Sequence, residues 1–217
     1  MCALIQILDY GSGNLFSVKH SLHRASPELE VAISSDYEKG KVDGLILPGV
    51  GSFPSAQKIL GKNRKAILHD IAERKLPALG ICLGMQLMFE ESEEGKGKGL
   101  GLFPGKVKRF QTASGVKVPH MGWDKVEVKS QATKQSEYSM GLPSKGWGYF
   151  AHSFFPEEVV NSEVIAFTKY GHQRFASIIQ NGNILGTQFH PEKSGDFGFR
   201  IISNFAMRVL ARSGGAI

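Results

Sequence analysis

The sequence is poor in cysteine: only Cys2 and Cys82 occur in 217 residues. Two cysteines cannot form a disulfide framework or a four-thiolate metal site, and they favour a reducing compartment such as the cytoplasm. No run approaches the roughly 18 apolar residues of a membrane span. The opening MCALIQILDY has no basic region before its apolar run, so we expect neither a signal peptide nor a membrane partner.

The sequence also lacks internal repeats, low-complexity linkers and clustered positive charge. Without a linker to divide it, we expect a single domain over residues 1–217. Its 26 Lys and Arg residues outnumber 20 Asp and Glu, for a net charge of +6. The basic residues are scattered among glutamates and are not interleaved with aromatics. This distribution favours a solvated face, or a docking face for an acidic partner, over nucleic-acid binding.

The first half of the sequence alternates strand and helix patterns. The apolar runs in ALIQILDY, EVAISS, VDGLILP and PALGI are typical of buried strands. Helical spacing covers Leu15–Ala25 and 55–75, with Gly61 and Asn63 as candidate break points, and a further helix follows in LGMQLMFEE. This order predicts an α/β fold with a mostly parallel central sheet.

The second half is rich in aromatic and β-branched runs separated by short turns. These runs predict antiparallel strands, including a hairpin that turns at Asn181, Gly182 and Asn183. Residues 198–212 have apolar positions spaced for the buried face of an amphipathic helix.

The segment GICLG at residues 80–84 has the pattern of a nucleophile elbow with cysteine in the serine position. A strand-to-helix turn would lift the Cys82 sulfur out of the sheet and place it near a helix N-terminus, which favours thiolate. It would also aim the backbone N–H of Leu83 at a developing oxyanion. A lone cysteine is more often a small buried apolar side chain. The flanking glycines and the preceding apolar run favour the nucleophile here.

A cysteine nucleophile needs a base, and the base needs an orienting group. Of the seven histidines, His190 stands in TQFHPE after a strand-like run. Pro191 ends the strand, and a turn there would fold the Glu192 carboxylate back onto the imidazole. Each residue alone is more simply a structural histidine or a surface carboxylate, but together with Cys82 they predict a catalytic triad.

The segment PGVGSF at residues 48–53 ends a predicted parallel strand, where ligand sites of open α/β sheets form. Its glycines permit unusual backbone conformations and leave N–H groups free for a ligand. A phosphate-binding loop is the alternative, but neither G-x-x-x-x-G-K-[ST] nor G-x-G-x-x-G occurs. We therefore expect an oxyanion loop.

The motifs PGVGSF, GICLGMQ and FHPEKS, in this order, resemble those of the class I (triad) glutamine amidotransferases. DYGSGNLFSV, LGICLGMQLMFEESEEG, GLGLFPGKVKRF, VPHMGWD, YFAHSF and QFHPEKSGDFG extend the likeness to the glutaminase subunits of imidazole glycerol phosphate synthases, from Asp9 to Phe205. The resemblance implies a flavodoxin-like amidotransferase domain with antiparallel strands beside the parallel sheet. It also implies that no cofactor or metal is needed.

The same resemblance implies that the chain hydrolyses glutamine to glutamate and ammonia. It would form a heterodimer with a (β/α)₈-barrel cyclase subunit, which uses the ammonia to make imidazole glycerol phosphate and an aminoimidazole carboxamide ribotide. Relatives commonly read GWN where this chain has Gly122, Trp123 and Asp124. Asp124 adds a charge and removes two donors. If this position faces the partner subunit, the interface would suit a different partner, so a similar glutaminase serving an amidino-sugar synthase is the alternative.

Roles are carried over residue by residue. Cys82 would be the nucleophile, His190 the general base and then acid, and Glu192 its orienting partner. Backbone N–H groups of the oxyanion hole would come from Leu83, Val50 and Gly51. Substrate would contact Gly51, Gln86, Ser153 and Phe154, with Glu94 at its amino group. The partner-facing residues would be Tyr10, Asn14, His120, Trp123, Tyr149 and Lys193.

Two alternative functions stay open at this point: an inert binding module and a cysteine hydrolase or peptidase. An inert binding module of the same fold would usually have lost one triad residue, and none is missing here. A cysteine hydrolase or peptidase would share an elbow cysteine and a histidine, but would not explain PGVGSF and AHSF. For a glutaminase, we expect weak activity alone and stimulation by the partner, with residues 48–51 turning one peptide to complete the oxyanion hole.

Overall fold

A computed structural model describes residues 2–11, 15–49, 51–112, 116–130 and 136–214. The strands are β1 (Leu4–Leu8), β2 (Glu30–Ser34), β3 (Gly44–Leu47), β4 (Ala78–Ile81), β5 (Glu91–Ser92), β6 (Lys106–Arg109), β7 (His120–Val128), β8 (Lys145–His152), β9 (Phe154–Glu157), β10 (Val164–Tyr170), β11 (Gln173–Asn181) and β12 (Ile184–Thr187). The α-helices are α1 (Leu15–Ala25), α2 (Phe53–Glu73), α3 (Leu83–Gln86) and α4 (Gly195–Ser213).

Among these residues, nine strands form one continuous sheet in the order β2-β1-β3-β4-β12-β11-β10-β7-β8. The strands from β2 to β12 in this order pair in parallel, and the strands from β12 to β8 pair antiparallel. A smaller sheet has the order β5-β6-β9. The expected α/β fold is thus confirmed, with a parallel half that continues directly into an antiparallel half.

Helices cover both faces of the sheet. On one face, α1 and α4 bury their apolar sides in a core that includes Leu22 and Phe205. On the other face, α2 and α3 pack with a second core that includes Phe53 and Met85. This layering satisfies the parallel strands, which are apolar on both sides and need cover on each. No helix among the described residues is long and apolar enough to cross a membrane.

The helix α1 begins and ends at the residues that its apolar spacing predicted. The predicted break points in α2 are wrong, because the helix runs unbroken from Phe53 to Glu73. Asn63 is buried there, and its side chain bonds the backbone at Ser35 and Tyr37. A residue that is weak in an isolated helix is therefore held by tertiary bonds. The helix after Cys82 is also shorter than LGMQLMFEE predicted and ends at Gln86.

The predicted hairpin is confirmed. β11 and β12 pair antiparallel from Asn181 and Ile184, leaving a two-residue turn in which Gly182 has φ +55°. Glycine reaches this left-handed conformation without steric strain.

Three neighbouring parallel strands, β3, β4 and β12, run in the same direction, so their carboxyl ends meet at one edge of the sheet. The loop at Pro48, the turn at Cys82 and the segment leading to His190 follow these three strands directly. The fold therefore brings the three predicted parts of the site to one place.

Candidate active site

Cys82 lies on a sharp turn between β4 and α3, with φ +47° and ψ −103°. Such a conformation is rare for a residue with a side chain and costs on the order of 1–3 kcal/mol. The N–H of Cys82 donates to the Thr187 carbonyl at 2.6 Å, which continues the ladder between β4 and β12 into the turn. The strained turn is thus anchored to the sheet.

Two glycines make the turn sterically feasible. A Cβ on Gly84 would lie 1.9 Å from the carbonyl oxygen of Leu47, and a Cβ on Gly80 would lie 2.7 Å from backbone atoms of Gly84. Neither distance is compatible with a side chain. The Gly-x-Cys-x-Gly pattern therefore reflects the close packing of β3, β4 and α3.

His190 and Glu192 are joined across a single turn of 3₁₀ helix at Pro191–Lys193. The Nδ1 of His190 lies 2.9 Å from Oε1 of Glu192, and both side chains are buried. The backbone of His190 is fixed on both sides: its N–H donates to Tyr149, and its carbonyl accepts from Ser194 Oγ at 2.6 Å. The imidazole is therefore held in one orientation.

The electrostatics of this cluster favour a charged imidazole. Burial alone would lower the pKa of His190, but hydrogen bonding and charge from Cys82 and Glu192 raise it to about 10. The second carboxylate oxygen of Glu192 is buried without a hydrogen-bond partner. A buried carboxylate needs a cation beside it. The arrangement suits an imidazolium at His190 between Glu192 and the sulfur of Cys82.

A cavity of about 170 Å³ opens beside the sulfur. It is lined by Gly49, Gly51, Cys82, Leu83, Gln86, Glu94, Pro119, Ala151, His152, Ser153 and Phe154. Pockets for drug-sized ligands are usually 300 Å³ or larger, so this one fits a small substrate. All five residues that the resemblance assigned to substrate binding lie on its wall.

Leu83 is the first residue of α3, so its N–H has no acceptor within the helix. It lines the cavity next to Cys82, as its predicted contribution to an oxyanion hole requires. Gly51 has φ +112°, a conformation that favours glycine. Val50, the third predicted contributor to the oxyanion hole, lies outside the described residues.

Glu94 has a second contact besides the cavity. Its Oε2 accepts from the N–H of Phe53 at 3.1 Å, at the beginning of α2. A carboxylate at a helix N-terminus is stabilised by the free N–H groups and the helix dipole. Glu94 therefore ties the loop at Gly51 to the wall of the cavity.

Sequence reasoning missed two buried polar residues in the site. Gln188 is fully buried, and its Nε2 lies 3.6 Å from the Cys82 sulfur. His152 lines the cavity and bonds His120 at 3.2 Å and the Phe154 carbonyl at 2.8 Å. Gln188 could have been found, because it precedes His190 by two residues, the period that places strand side chains on one face.

The predicted partner-facing residues divide into exposed and buried ones. Trp123, Tyr149 and Lys193 form a continuous outer patch: the ring centroids of Trp123 and Tyr149 are 6.0 Å apart, and Lys193 Nζ is 5.7 Å from that of Tyr149. Tyr10 and His120 are buried in this chain. Asn14 lies outside the described residues.

Comparison with known proteins identifies the family. The sequence model described as glutamine amidotransferase class-I matches residues 6–209. The chain is 38% identical over 209 residues to "Imidazole glycerol phosphate synthase subunit HisH" of Synechococcus sp. (strain JA-3-3Ab), covering 96% of this chain and 95% of the relative. It is 42% identical over 212 residues to the protein of the same name from Halalkalibacterium halodurans, covering 95% and 96%.

Solved structures agree on the fold. One described as glutamine amidotransferase has a TM-score of 0.67 at 20% identity and covers 97% of this chain and 98% of its own. PurLQS from Thermotoga maritima has a TM-score of 0.72 at 18% identity and covers 97% and 100%. With an elbow cysteine, a His–Glu pair and a family match over nearly its whole length, the chain belongs to the class-I glutamine amidotransferases.

Proposed function

We propose that this chain is the glutaminase subunit of an imidazole glycerol phosphate synthase of histidine biosynthesis. The observation that carries the proposal is the contact of Cys82, His190 and Glu192 beside a small cavity that Cys82 lines. The near full-length relatives named as subunits of that synthase support it. An amidino-sugar synthase as the destination of the ammonia is not favoured by these relatives.

The first step is attack of the Cys82 thiolate on the side-chain amide carbon of glutamine. The carbonyl oxygen then becomes an oxyanion, and the N–H of Leu83 together with the Gly51 loop would receive it. A preorganised donor of this kind typically lowers the barrier by about 3 kcal/mol. Because the helix leaves the Leu83 N–H without an acceptor, no existing bond has to break first.

In the second step, His190 donates its proton to the leaving nitrogen, releasing ammonia and leaving a glutamyl thioester on Cys82. His190 then takes a proton from water, which hydrolyses the thioester to glutamate. Glu192 keeps Nδ1 of the ring occupied, so Nε2 faces the reacting atoms throughout. The raised pKa of His190 suits the first of these tasks, because the imidazole carries a proton at neutral pH.

The cavity provides complementary groups for a single amino acid. Gln86, Ser153 and Phe154 would contact the substrate along one wall, and the carboxylate of Glu94 would face its amino group. Since Glu94 also caps α2, binding of the amino group would fix the Gly51 loop beside the reacting carbonyl.

The outer patch of Trp123, Tyr149 and Lys193 is the proposed contact surface for a (β/α)₈-barrel cyclase subunit. Two exposed neighbours on the same face, Met121 and Trp147, extend it. Aromatic residues and methionine are enriched at such interfaces. The cyclase would receive ammonia from the adjacent cavity and form imidazole glycerol phosphate and an aminoimidazole carboxamide ribotide, in the cytoplasm.

The loop at residues 48–51 is the proposed gate of the reaction. We expect Gly51→Ala to reduce stimulation by the cyclase at least tenfold, because alanine resists the φ of +112°. The ratio of glutamate release with and without the cyclase measures this. Gly49→Ala is unsuitable as a test, since its Cβ would lie 2.8 Å from His190 and 3.0 Å from the Cys82 side chain. Unchanged stimulation in Gly51→Ala would contradict the gate.

The function is tested by glutamate release from glutamine, with this protein alone and with the cyclase subunit plus its nucleotide ligand. We expect weak release alone, strong stimulation by the liganded cyclase, and loss of both in Cys82→Ser. Cys2→Ser is the matched control, because Cys2 is exposed and distant in sequence from the site. Thiol-dependent release without stimulation would retain the glutaminase and reject this partner, and no release under either condition would reject the function.

A further inference from the structure

A chain of amide groups connects the cavity wall to the nucleophile. Nε2 of Gln86 donates to the Phe154 carbonyl at 2.8 Å and also lies 3.3 Å from Oε1 of Gln188. Nε2 of Gln188 lies 3.6 Å from the sulfur of Cys82. Gln86 is 3% exposed and Gln188 is 0% exposed, so both amides are largely shielded from bulk water.

The Phe154 carbonyl determines the orientation of the Gln86 amide, which in turn determines that of the Gln188 amide. A backbone carbonyl can only accept, so the group that Gln86 turns to Phe154 must be its NH₂. That NH₂ has a second hydrogen, which points to Gln188 and requires an oxygen there. The NH₂ of Gln188 is then left facing the sulfur. The anchor at Phe154 thus determines that Gln188 presents a donor to Cys82.

We propose that Gln188 is a catalytic hydrogen-bond donor that stabilises the thiolate of Cys82, with Gln86 fixing the direction of its amide. The effect on turnover rests on the proposed glutaminase function, but the effect on the sulfur does not. The Ala151 carbonyl, 3.9 Å from the sulfur, is an acceptor and gives a thiolate no stabilisation. Among the described residues, two side chains place a hydrogen-bond donor beside the Cys82 sulfur: His190 and Gln188.

The chemistry explains why a second donor is useful. His190 moves its proton during the reaction, to the leaving amine and later from water, so its support of the sulfur changes at each step. The amide of Gln188 does not titrate and keeps its hydrogen throughout. It would therefore stabilise the thiolate both before attack and when the thioester expels it.

The test measures the reactivity of the sulfur directly. The second-order rate constant of Cys82 with iodoacetamide would be followed from pH 5 to 10 by mass spectrometry of its peptide, which separates it from Cys2. Gln188→Met is close in length and size but has no N–H. A hydrogen bond to a charged group of typical strength corresponds to about a tenfold or greater effect. We expect the pH midpoint of alkylation to rise by about one unit and, at pH values below the wild-type midpoint, the rate constant to fall by about tenfold.

Gln180→Met is the matched control. Gln180 is a glutamine of the neighbouring strand β11 whose amide donates to Gly182 instead of the site, so its replacement should leave the profile unchanged. A folded Gln188→Met protein with the wild-type midpoint and rate would overturn the proposal. If alkylation changes as expected but no variant or wild type releases glutamate, the donor stands and the glutaminase function fails.

A second measurement needs no substitution at Gln188. In the ¹⁵N-labelled wild-type protein, the side-chain NH₂ resonances of Gln188 should move when Cys82 is alkylated, because the thiolate acceptor is lost. The resonances of Gln180 should stay in place. An unmoved Gln188 signal would show that its amide does not bond the sulfur and would reject the proposal even if Gln188→Met fails to fold.

Discussion

At the scale of single residues, the histidines behind the cavity have a defined direction of hydrogen bonding. His152 Nδ1 must carry a hydrogen, because it faces the Phe154 carbonyl at 2.8 Å. Burial lowers the pKa of His152 to about 3, so the ring is neutral and its Nε2 is an acceptor. His120 Nδ1 must then donate to it. The Nε2 of a neutral His120 is left facing Oδ2 of Asp124 at 3.4 Å, where neither atom has a hydrogen.

This conflict makes the effect of Asp124→Asn dependent on pH. Burial lowers the pKa of His120, and Asp124 partly opposes this shift. A histidine with a lowered folded pKa contributes its full stability above about pH 6.5 and loses it as the pH falls. Removing the carboxylate worsens that loss in acid. Above pH 6.5, the asparagine amide can donate to the neutral ring instead.

We therefore expect Asp124→Asn to lower the free energy of unfolding by about 1 kcal/mol at pH 5 and to raise it by a similar amount at pH 8. Urea denaturation at both pH values measures the change. Glu127→Gln is the control, since Glu127 is exposed on the same strand, and its effect should not change sign. A difference of the same sign at both pH values would contradict the assigned direction of these bonds.

At the scale of elements, the sequence predicted most where local chemistry decides the structure. The helix α1 follows its apolar spacing, and the β11–β12 turn follows Gly182. The elbow at Cys82 was predictable because close packing there excludes any side chain at Gly80 and Gly84. These signals lie within a few residues of the feature that they specify.

Features that depend on distant contacts were not predictable in this way. Asn63 continues α2 because it bonds residues of a neighbouring strand end, 28 positions earlier at Ser35. Gln86 bonds Gln188, which is 102 positions away in the sequence, and it also bonds the Phe154 carbonyl on a strand of the smaller sheet. A pattern in the sequence shows that a residue is polar and buried, but not which partner satisfies it.

Gly61 and Gly198, both within helices, differ in the same way: the first has no neighbour near the position of a Cβ, and the second packs against another segment. Gly61 is exposed in the interior of α2, and a Cβ there would meet nothing within 4 Å. Alanine is a better helix former than glycine, so we expect Gly61→Ala to raise the free energy of unfolding by about 0.5–1 kcal/mol, with glutaminase activity unchanged. Thermal or urea denaturation measures the stability. A destabilised Gly61→Ala protein would contradict the continuous helix.

Gly198→Ala in α4 is the matched comparison. Its Cβ would lie 2.1 Å from the Pro191 carbonyl and 2.7 Å from the Ser194 side chain. Overpacking of this kind typically costs about 1–3 kcal/mol, so we expect this variant to lose stability. Because Pro191 lies between His190 and Glu192, we also expect lower activity, which a stability effect alone would not produce in protein that remains folded.

At the scale of the whole molecule, the site lies where the two halves of the sheet meet. Cys82 and His190 follow strands of the parallel half, whereas His152 and Phe154 belong to strands of the second half of the chain. The cavity is therefore complete only when both halves have folded together. Local unfolding of β8 and β9 would open the wall of the cavity and remove the Phe154 carbonyl that anchors Gln86.

His152, a buried residue of the cavity wall, is expected to make the stability of the fold sensitive to acid. Its folded pKa of about 3 lies below the unfolded value of 6.5, so its contribution to stability is full above pH 6.5 and lost as the pH falls toward 3. A shift of this size corresponds to roughly 3–5 kcal/mol. That is a large share of the about 5–15 kcal/mol that stabilises a typical domain.

We therefore expect the free energy of unfolding to fall steeply between pH 6.5 and 3, and His152→Gln to flatten that fall while lowering stability at pH 7. Glutamine has no group that gains a proton in this range, which is why the slope should decrease. Urea denaturation at pH 7, 5 and 4 measures both effects. His20→Gln replaces an exposed histidine of α1 and should keep the wild-type slope. If His152→Gln were as acid-sensitive as His20→Gln, the buried neutral histidine would not be what limits the stability of the fold in acid.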